Sequence, residues 1–207
     1  MRAFEFPSPI NMWEAVRCDG EGLFRLAAEA RRGGDFVVRD VLAEGLQLIF
    51  VGYNPGRSSE ESGHHFAGPQ NLFWPLLYEA GLTPRRLRAE EDREVLLYGI
   101  GITNLVERMT PSSADLTAEE KTAGARRLRE KLSQLRPAVV CLLGKDIYRA
   151  YAGLAASRPV VWGLQDPVLI PGVRDYVAPN PSRRSTVPYG LRLALMQRLA
   201  GSLAYDR

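Results

Sequence analysis

Three short apolar runs, residues 46–51 (LQLIFV), 100–105 (IGITNL) and 138–143 (AVVCLL), alternate with longer stretches of helical spacing, and this alternation leaves few folds open. Each run has the length of a buried strand. The first ends at Gly52, the second at Asn104 and the third before Gly144. Strands separated by helices pair in parallel through crossovers, so the pattern predicts one α/β domain with a mainly parallel central sheet flanked by helices. Helices are expected over 71–80, closed by Gly81, and over 90–97, 146–152 and 189–203. The longest, 117–135, opens with a capping box of Thr117 and Glu120, tolerates Gly124, and stops before Pro137. Residues 160–162, 168–170 and 176–178 read as shorter strands. The spacing of Leu23, Leu26, Ala27 and Ala30 predicts a helix over 21–32 in an N-terminal extension of residues 1–40, which leaves 41–207 as the domain.

A chain of 207 residues that is 45% hydrophobic and 25% charged can bury one large core, which excludes a disordered tail, a collagen-like polymer and a disulfide-stapled miniprotein. No stretch of about 18 apolar residues occurs. The opening residues lack the charged-then-apolar order of a secretory signal, so a cytoplasmic monomer with no membrane partner is expected. The 27 Lys and Arg against 24 Asp and Glu give a net charge of +3, and only Lys121, Lys131 and Lys145 are lysines. A chain this rich in arginine is suited to bidentate phosphate contacts, although codon bias explains the same composition. Cys18 and Cys141 stand far apart with no histidine at ligand spacing, so neither a metal site nor an iron–sulfur cofactor is expected.

In a parallel sheet the chemistry collects at the loops that leave the C-terminal strand ends. Those loops follow Val51, Thr103, Leu143 and Ala178. The first reads Gly52-Tyr53-Asn54-Pro55-Gly56, a stiff turn that displays Asn54 at a strand end. A carboxamide can hold a water by hydrogen bonds without deprotonating it. Further on, His64 and His65 are adjacent and diverge, which argues against a shared metal. Phe66 lies between glycines in a polar loop, where it serves either as an exposed stacking platform or as a plug over the core. Asn71 suits a helix N-cap. The last loop, Asn180-Pro181-Ser182-Arg183-Arg184-Ser185, is either a solvated basic turn or a grip for phosphates with a side chain that enters a duplex.

Taken in order, GYNPG, GHHFAGPQNLFW, GITNLVERMT, LGKDIY and APNPSRRS resemble the mismatch-specific uracil-DNA and thymine-DNA glycosylases of the uracil-DNA glycosylase superfamily. The resemblance covers residues 40–200 and implies a three-layer α/β/α fold. It also implies a monofunctional DNA glycosylase of base excision repair that needs no cofactor. Its substrate would be uracil, with thymine and modified pyrimidines as further candidates, mispaired with guanine in double-stranded DNA. By this similarity Asn54 positions the hydrolytic water and Phe66 stacks on the flipped base. Gly52, Tyr53, His65, Asn71 and Asn104 surround that base, and Arg184 is the wedge, set among Asn180, Pro181, Ser182, Arg183 and Ser185. Tyr53 departs from the isoleucine common in the family, and Arg183 from a small residue.

An alternative of a different class is a non-catalytic sensor of mismatched DNA. A further one is an enzyme that acts on free nucleotides. Glu60, Glu61, Glu90, Glu91 and Asp92 read as solvated charge, with assistance to the water open only if the fold brings one near. Lys145 is the single lysine placed to form a Schiff base, and the LGK motif argues against that role.

Overall fold

A computed structural model describes residues 38–204. The helix expected over 21–32, Cys18 and most of the N-terminal extension lie outside the described residues.

The chain runs β1 (Leu48–Gly52), α1 (Arg57–Ser62), α2 (Phe73–Glu79), a 3-10 segment (Ala89–Tyr98), β2 (Ile100–Asn104), α3 (Ala118–Leu135), β3 (Val139–Leu142), α4 (Lys145–Ala152), β4 (Gly163–Leu164), β5 (Arg174–Val177) and α5 (Tyr189–Ala204). The sheet has the order β2-β1-β3-β5-β4, parallel except for the antiparallel edge strand β4. The α/β class with a mainly parallel sheet is therefore as expected. β1 is an interior strand, between β2 and β3, and is buried along its whole length. Its connection leads to β2 on one side, whereas that of β3 leads toward β5 on the other. Loops that part in opposite directions leave a crevice at the C-terminal ends of β1 and β3, and this is where such sheets hold ligands.

Two registers align the strand exits. Gly52 pairs with Asn104, and Leu142 pairs with both Val51 and Val177, so the exits of all four parallel strands lie side by side. On the β2 edge, Val41 forms an antiparallel bridge to Ile102, while Asp40 accepts from the Thr103 hydroxyl at 2.6 Å and pairs with Lys131 of α3.

The last third departs from the expectation. Residues 160–162 and 168–170 form no strand; β4 is two residues long, and Ile170 makes one isolated bridge to Val173. Pro159, Pro167 and Pro171 cannot donate to a ladder, which leaves only short pairings between them. Residues 90–97 coil as 3-10 rather than α-helix. α1 is silent in the sequence because RSSEES carries no apolar face. β5 starts at Arg174, two residues before the apolar signal, because its second residue is a buried carboxyl group.

That residue, Asp175, is fully buried in the sheet. Its Oδ2 accepts from the Leu169 N–H at 3.3 Å, while Oδ1 and the neighbouring Tyr151 hydroxyl are buried without a partner at hydrogen-bonding geometry. Burial pushes the carboxyl up to about 6. A raised folded-state value favours the folded chain while Asp175 is protonated, and that contribution disappears as pH rises from about 4 through about 6. Asp175→Asn is therefore expected to raise stability at pH 8 by on the order of 2 kcal/mol relative to its effect at pH 4. Urea denaturation at the two pH values checks this; a pH-independent difference would mean that the carboxyl is not protonated in the fold.

Candidate active site at the strand ends

The four strand exits enclose one cleft of about 590 Å³. From the first loop it is lined by Gly52, Tyr53 and Asn54, then by His65, Phe66 and Asn71; β2 contributes Asn104, the β3 exit contributes Leu143, and the last loop contributes Asn180, Pro181, Ser182, Arg184 and Ser185. Of the residues that the resemblance assigns to the base, the water and the wedge loop, Arg183 alone is outside the lining, exposed to solvent. Lys145 is outside it too, with its ammonium 4.4 Å from the ring centroid of Trp162.

Asn54 is held in one orientation. Its Nδ2 donates to the Thr110 hydroxyl at 2.6 Å and to the Arg108 carbonyl at 3.1 Å. Thr110 in turn spends its own proton on the Ser112 carbonyl at 2.7 Å. Both amide protons are thus committed to protein acceptors, and Oδ1 is left as the acceptor at the cleft wall. Thr110 is not legible as a site residue in the sequence. It closes the GITNLVERMT motif, and only the tertiary fold brings it to Asn54, 56 residues away.

Close packing sets the base-facing wall. A Cβ built on Gly52 would lie 2.4 Å from Asn104 Oδ1 and 3.6 Å from the Phe66 ring, so glycine is needed there for both side chains to approach β1.

Phe66 has φ of 53°, a left-handed conformation unusual for an aromatic residue. Hydrogen bonds on both sides hold it: the His65 N–H donates to buried Asp92 Oδ2 at 2.9 Å, and the Ala67 N–H donates to Ser59 Oγ at 3.2 Å. The ring stacks on Phe73 with centroids 4.0 Å apart and 25° between planes. Phe66 is therefore both plug and platform, with one face on the core and the residue half-exposed at the cleft.

His65 is buried, and burial holds its imidazole below the ordinary value, hence neutral; its Nε2–H donates to the Arg39 carbonyl at 2.9 Å. His64 turns the other way, with Nδ1 3.3 Å from Asp92 Oδ1. Asn71 lines the cleft; it is not the helix N-cap expected from sequence, which is Leu72, but its Oδ1 accepts from the Phe73 N–H at 3.0 Å in a turn just ahead of α2.

The last loop is fixed from inside. Asn180 Oδ1 accepts from the Ser182 N–H at 2.8 Å, and Ser182 Oγ accepts from the Arg184 N–H at 3.2 Å. Beneath it, buried Arg192 of α5 donates to the carbonyls of Ser182, Ser185 and Val187 at 3.1, 2.6 and 2.7 Å. In sequence Arg192 is one arginine among many in a helix. Across the cleft the Arg184 guanidinium donates to the Pro111 carbonyl at 3.2 Å.

Among the described residues the lining contains the cations Arg57 and Arg184 and no carboxylate. Glu60, Glu61, Glu90, Glu91 and Asp92 are all absent from it. A cleft with guanidinium groups, hydroxyls and amides, an aromatic platform and no acid is built to receive an anion rather than to deprotonate a substrate. A family model described as the uracil DNA glycosylase superfamily matches residues 40–204, most of the chain.

The chain belongs to the uracil DNA glycosylase superfamily. It is accordingly a DNA glycosylase of DNA repair, a hydrolase of the bond between base and sugar. In this uracil DNA glycosylase superfamily protein the span matched begins at the Asp40 anchor on the β2 edge and ends with the last residue of α5, so it includes every lining residue named above; Val38, just ahead of it, also touches the cleft.

Proposed function

We propose that this superfamily member is a monofunctional glycosylase that removes uracil, and other pyrimidines of similar shape, from mispairs with guanine in double-stranded DNA by base flipping. The observation that carries this reading is the single cleft shared by Asn54, Phe66 and Arg184. A flipped nucleotide needs a site for its base, a group to hold water behind the sugar, and a filler for the gap left in the duplex. Phe66 presents a π-face to the base, Asn54 Oδ1 accepts from the water, and the Arg184 side chain is long enough to enter the stack once released from Pro111.

Cleavage of an N-glycosidic bond gathers positive charge on the sugar and negative charge on the departing pyrimidine. The backbone N–H groups near Tyr53 and Phe66, together with the Asn104 amide, can stabilise that anion in a cleft without acids. Extrusion costs a few kcal/mol, less for a wobble pair than for a Watson–Crick pair, and this favours mispaired substrates. Because Lys145 lies against Trp162 and outside the lining, the reading includes no Schiff base and the product is an abasic site.

The direct test uses a labelled duplex with one G·U pair, incubated with the protein and then cleaved with alkali. Strand scission only after alkali is the expected result. An intact duplex with stoichiometric protein, despite salt-sensitive binding, would support the non-catalytic sensor instead.

Arg57 begins α1 at the cleft wall, is exposed, and makes no ion pair among the described residues. It is thus free to meet a backbone phosphate. Arg57→Ala is expected to reduce the slope of log affinity against log salt by about 0.9, the release of one counterion. A titration across salt concentrations checks this, and an unchanged slope would remove Arg57 from the DNA contact.

A further inference from the structure

The loop 108–112 is gripped at several points, and its grip on the water-holding amide depends on a residue far from the cleft. Asn54 donates to the Arg108 carbonyl and the Thr110 hydroxyl. The side chain of the same Arg108 leaves the cleft and reaches α3, where its Nε and Nη2 donate to the two carboxylate oxygens of Glu120 at 2.6 and 3.0 Å, and Nη2 also approaches the Asp115 carbonyl at 3.4 Å. Glu120 is itself fixed, since its Oε2 accepts from the Thr117 N–H at 2.8 Å and its own N–H donates to Thr117 Oγ1 at 3.2 Å. A bidentate arginine–carboxylate pair is directional in a way that a single contact is not. It sets the plane of the guanidinium and so fixes the far end of the Arg108 side chain, whose three methylenes tether the Cα and limit where the Arg108 carbonyl can lie.

We infer that the Arg108–Glu120 pair is the positioning device for Asn54: the first turn of α3 aims the Arg108 carbonyl, which with Thr110 turns the Asn54 amide so that Oδ1 faces the sugar side of the cleft. This rests on the proposed role of Asn54 and extends it to two residues that line nothing, since neither Arg108 nor Glu120 belongs to the cleft wall. Glu120 acts only through the loop. It does not touch substrate, and its carboxylate is held down at about 2, chiefly by the Arg108 side chain and the Thr117 backbone, so the pair stays charged at any working pH.

Glu120→Gln is the discriminating change. The amide oxygen of glutamine still accepts from the Thr117 N–H, so the helix start is preserved, but the charged bidentate pair is lost. Removing an acid can strengthen DNA binding but cannot weaken it by loss of a phosphate contact. The expected result is a single-turnover rate of uracil release lower by about tenfold, in line with a slight misplacement of a reacting group, with duplex affinity equal or tighter. Arg108→Met, which attacks the pair from the other side and leaves the cap intact, should slow release to a similar extent. In an Asn54→Ala background Glu120→Gln should have no further effect, because its route of action is gone.

A second readout needs no activity. The side-chain amide resonances of Asn54, assigned by their loss in Asn54→Ala, should exchange with solvent about tenfold faster in Glu120→Gln, as expected when local order is reduced. Wild-type release rates with unchanged amide exchange would overturn the inference, as would a Glu120→Gln effect that persists without Asn54. An inactive wild-type protein would sink the proposed function alone, since the amide exchange would still decide the role of the pair.

Discussion

Replacement of Asn54 by alanine is expected to slow single-turnover release of uracil from a G·U duplex by about 10²- to 10³-fold, in the range for loss of one group that acts in the transition state. Affinity for the duplex should change little, because Asn54 is tied into a network of protein partners through Nδ2, which leaves its Oδ1 as the one side-chain group without a protein partner among the described residues. The size of the effect reflects the absence of a carboxylate among the described residues of the lining, none of which can take over the water as a base. The same geometry predicts that Asn54→Asp gives no gain. A carboxylate in place of the amide would face two acceptors, the Arg108 carbonyl and a Thr110 oxygen whose proton already goes to Ser112. Repulsion would turn the acid away or keep it protonated, so the potential general base would be lost. Rapid-quench kinetics over a range of protein concentrations separates rate from affinity. An alanine variant with nearly the wild-type rate would show that another group holds the nucleophile.

Gly124→Ala is expected to be the most damaging single-methyl change among the glycines of the described residues. A Cβ at this position would fall 2.2 Å from the Leu105 carbonyl oxygen and 3.3 Å from Val106. The obstruction is backbone immediately after β2, so no side-chain rotation relieves it, and α3 would have to move off the sheet. Overpacking of this kind costs about 1–3 kcal/mol and more where backbone must shift. In a domain of this size that corresponds to a fall in Tm of roughly 5–10 °C. Gly201→Ala near the end of α5 is the control, since nothing lies within 4 Å of its Cβ and the better helix propensity of alanine should raise stability slightly. Calorimetry on both variants tests the contrast; equal melting temperatures would mean that α3 does not press on the β2 exit. Because Leu105 is adjacent to Asn104, the shift of α3 should also disturb the base-facing wall.

Much of the frame is visible in the chain because its causes are local. The runs at β1, β2 and β3 are apolar on both faces, and the start of α3 carries its capping box in four consecutive residues, Thr117 to Glu120. Where polar residues sit in a strand the local signal fails. β5 begins with Arg174 and Asp175, and Asp175 is buried beside the Tyr151 hydroxyl and under the Leu169 N–H, neighbours that no local pattern announces. The 3-10 segment 89–98 reads as an ordinary helix in sequence, since composition does not distinguish the two coils.

The site divides in the same way. Asn54, Phe66, Asn104 and the last loop stand out by themselves, as polar or aromatic residues displayed at strand ends by glycine and proline. Their partners do not. Thr110 and Arg108 for Asn54 and Asp92 for Phe66 are ordinary residues at sequence separations that no motif spans, while Ser59 and Arg192 are near in sequence but carry no pattern that marks them as supports.

The sequence by itself determined the strands, their helices and the loops at which chemistry collects, because periodicity and turn chemistry act over a few residues. Tertiary structure alone decided that Gly124 must lack a side chain, that Arg184 crosses the cleft to Pro111, and that Asn54 spends both amide protons on the protein. These are contacts between segments brought together only by sheet register, and their energies depend on distance in space.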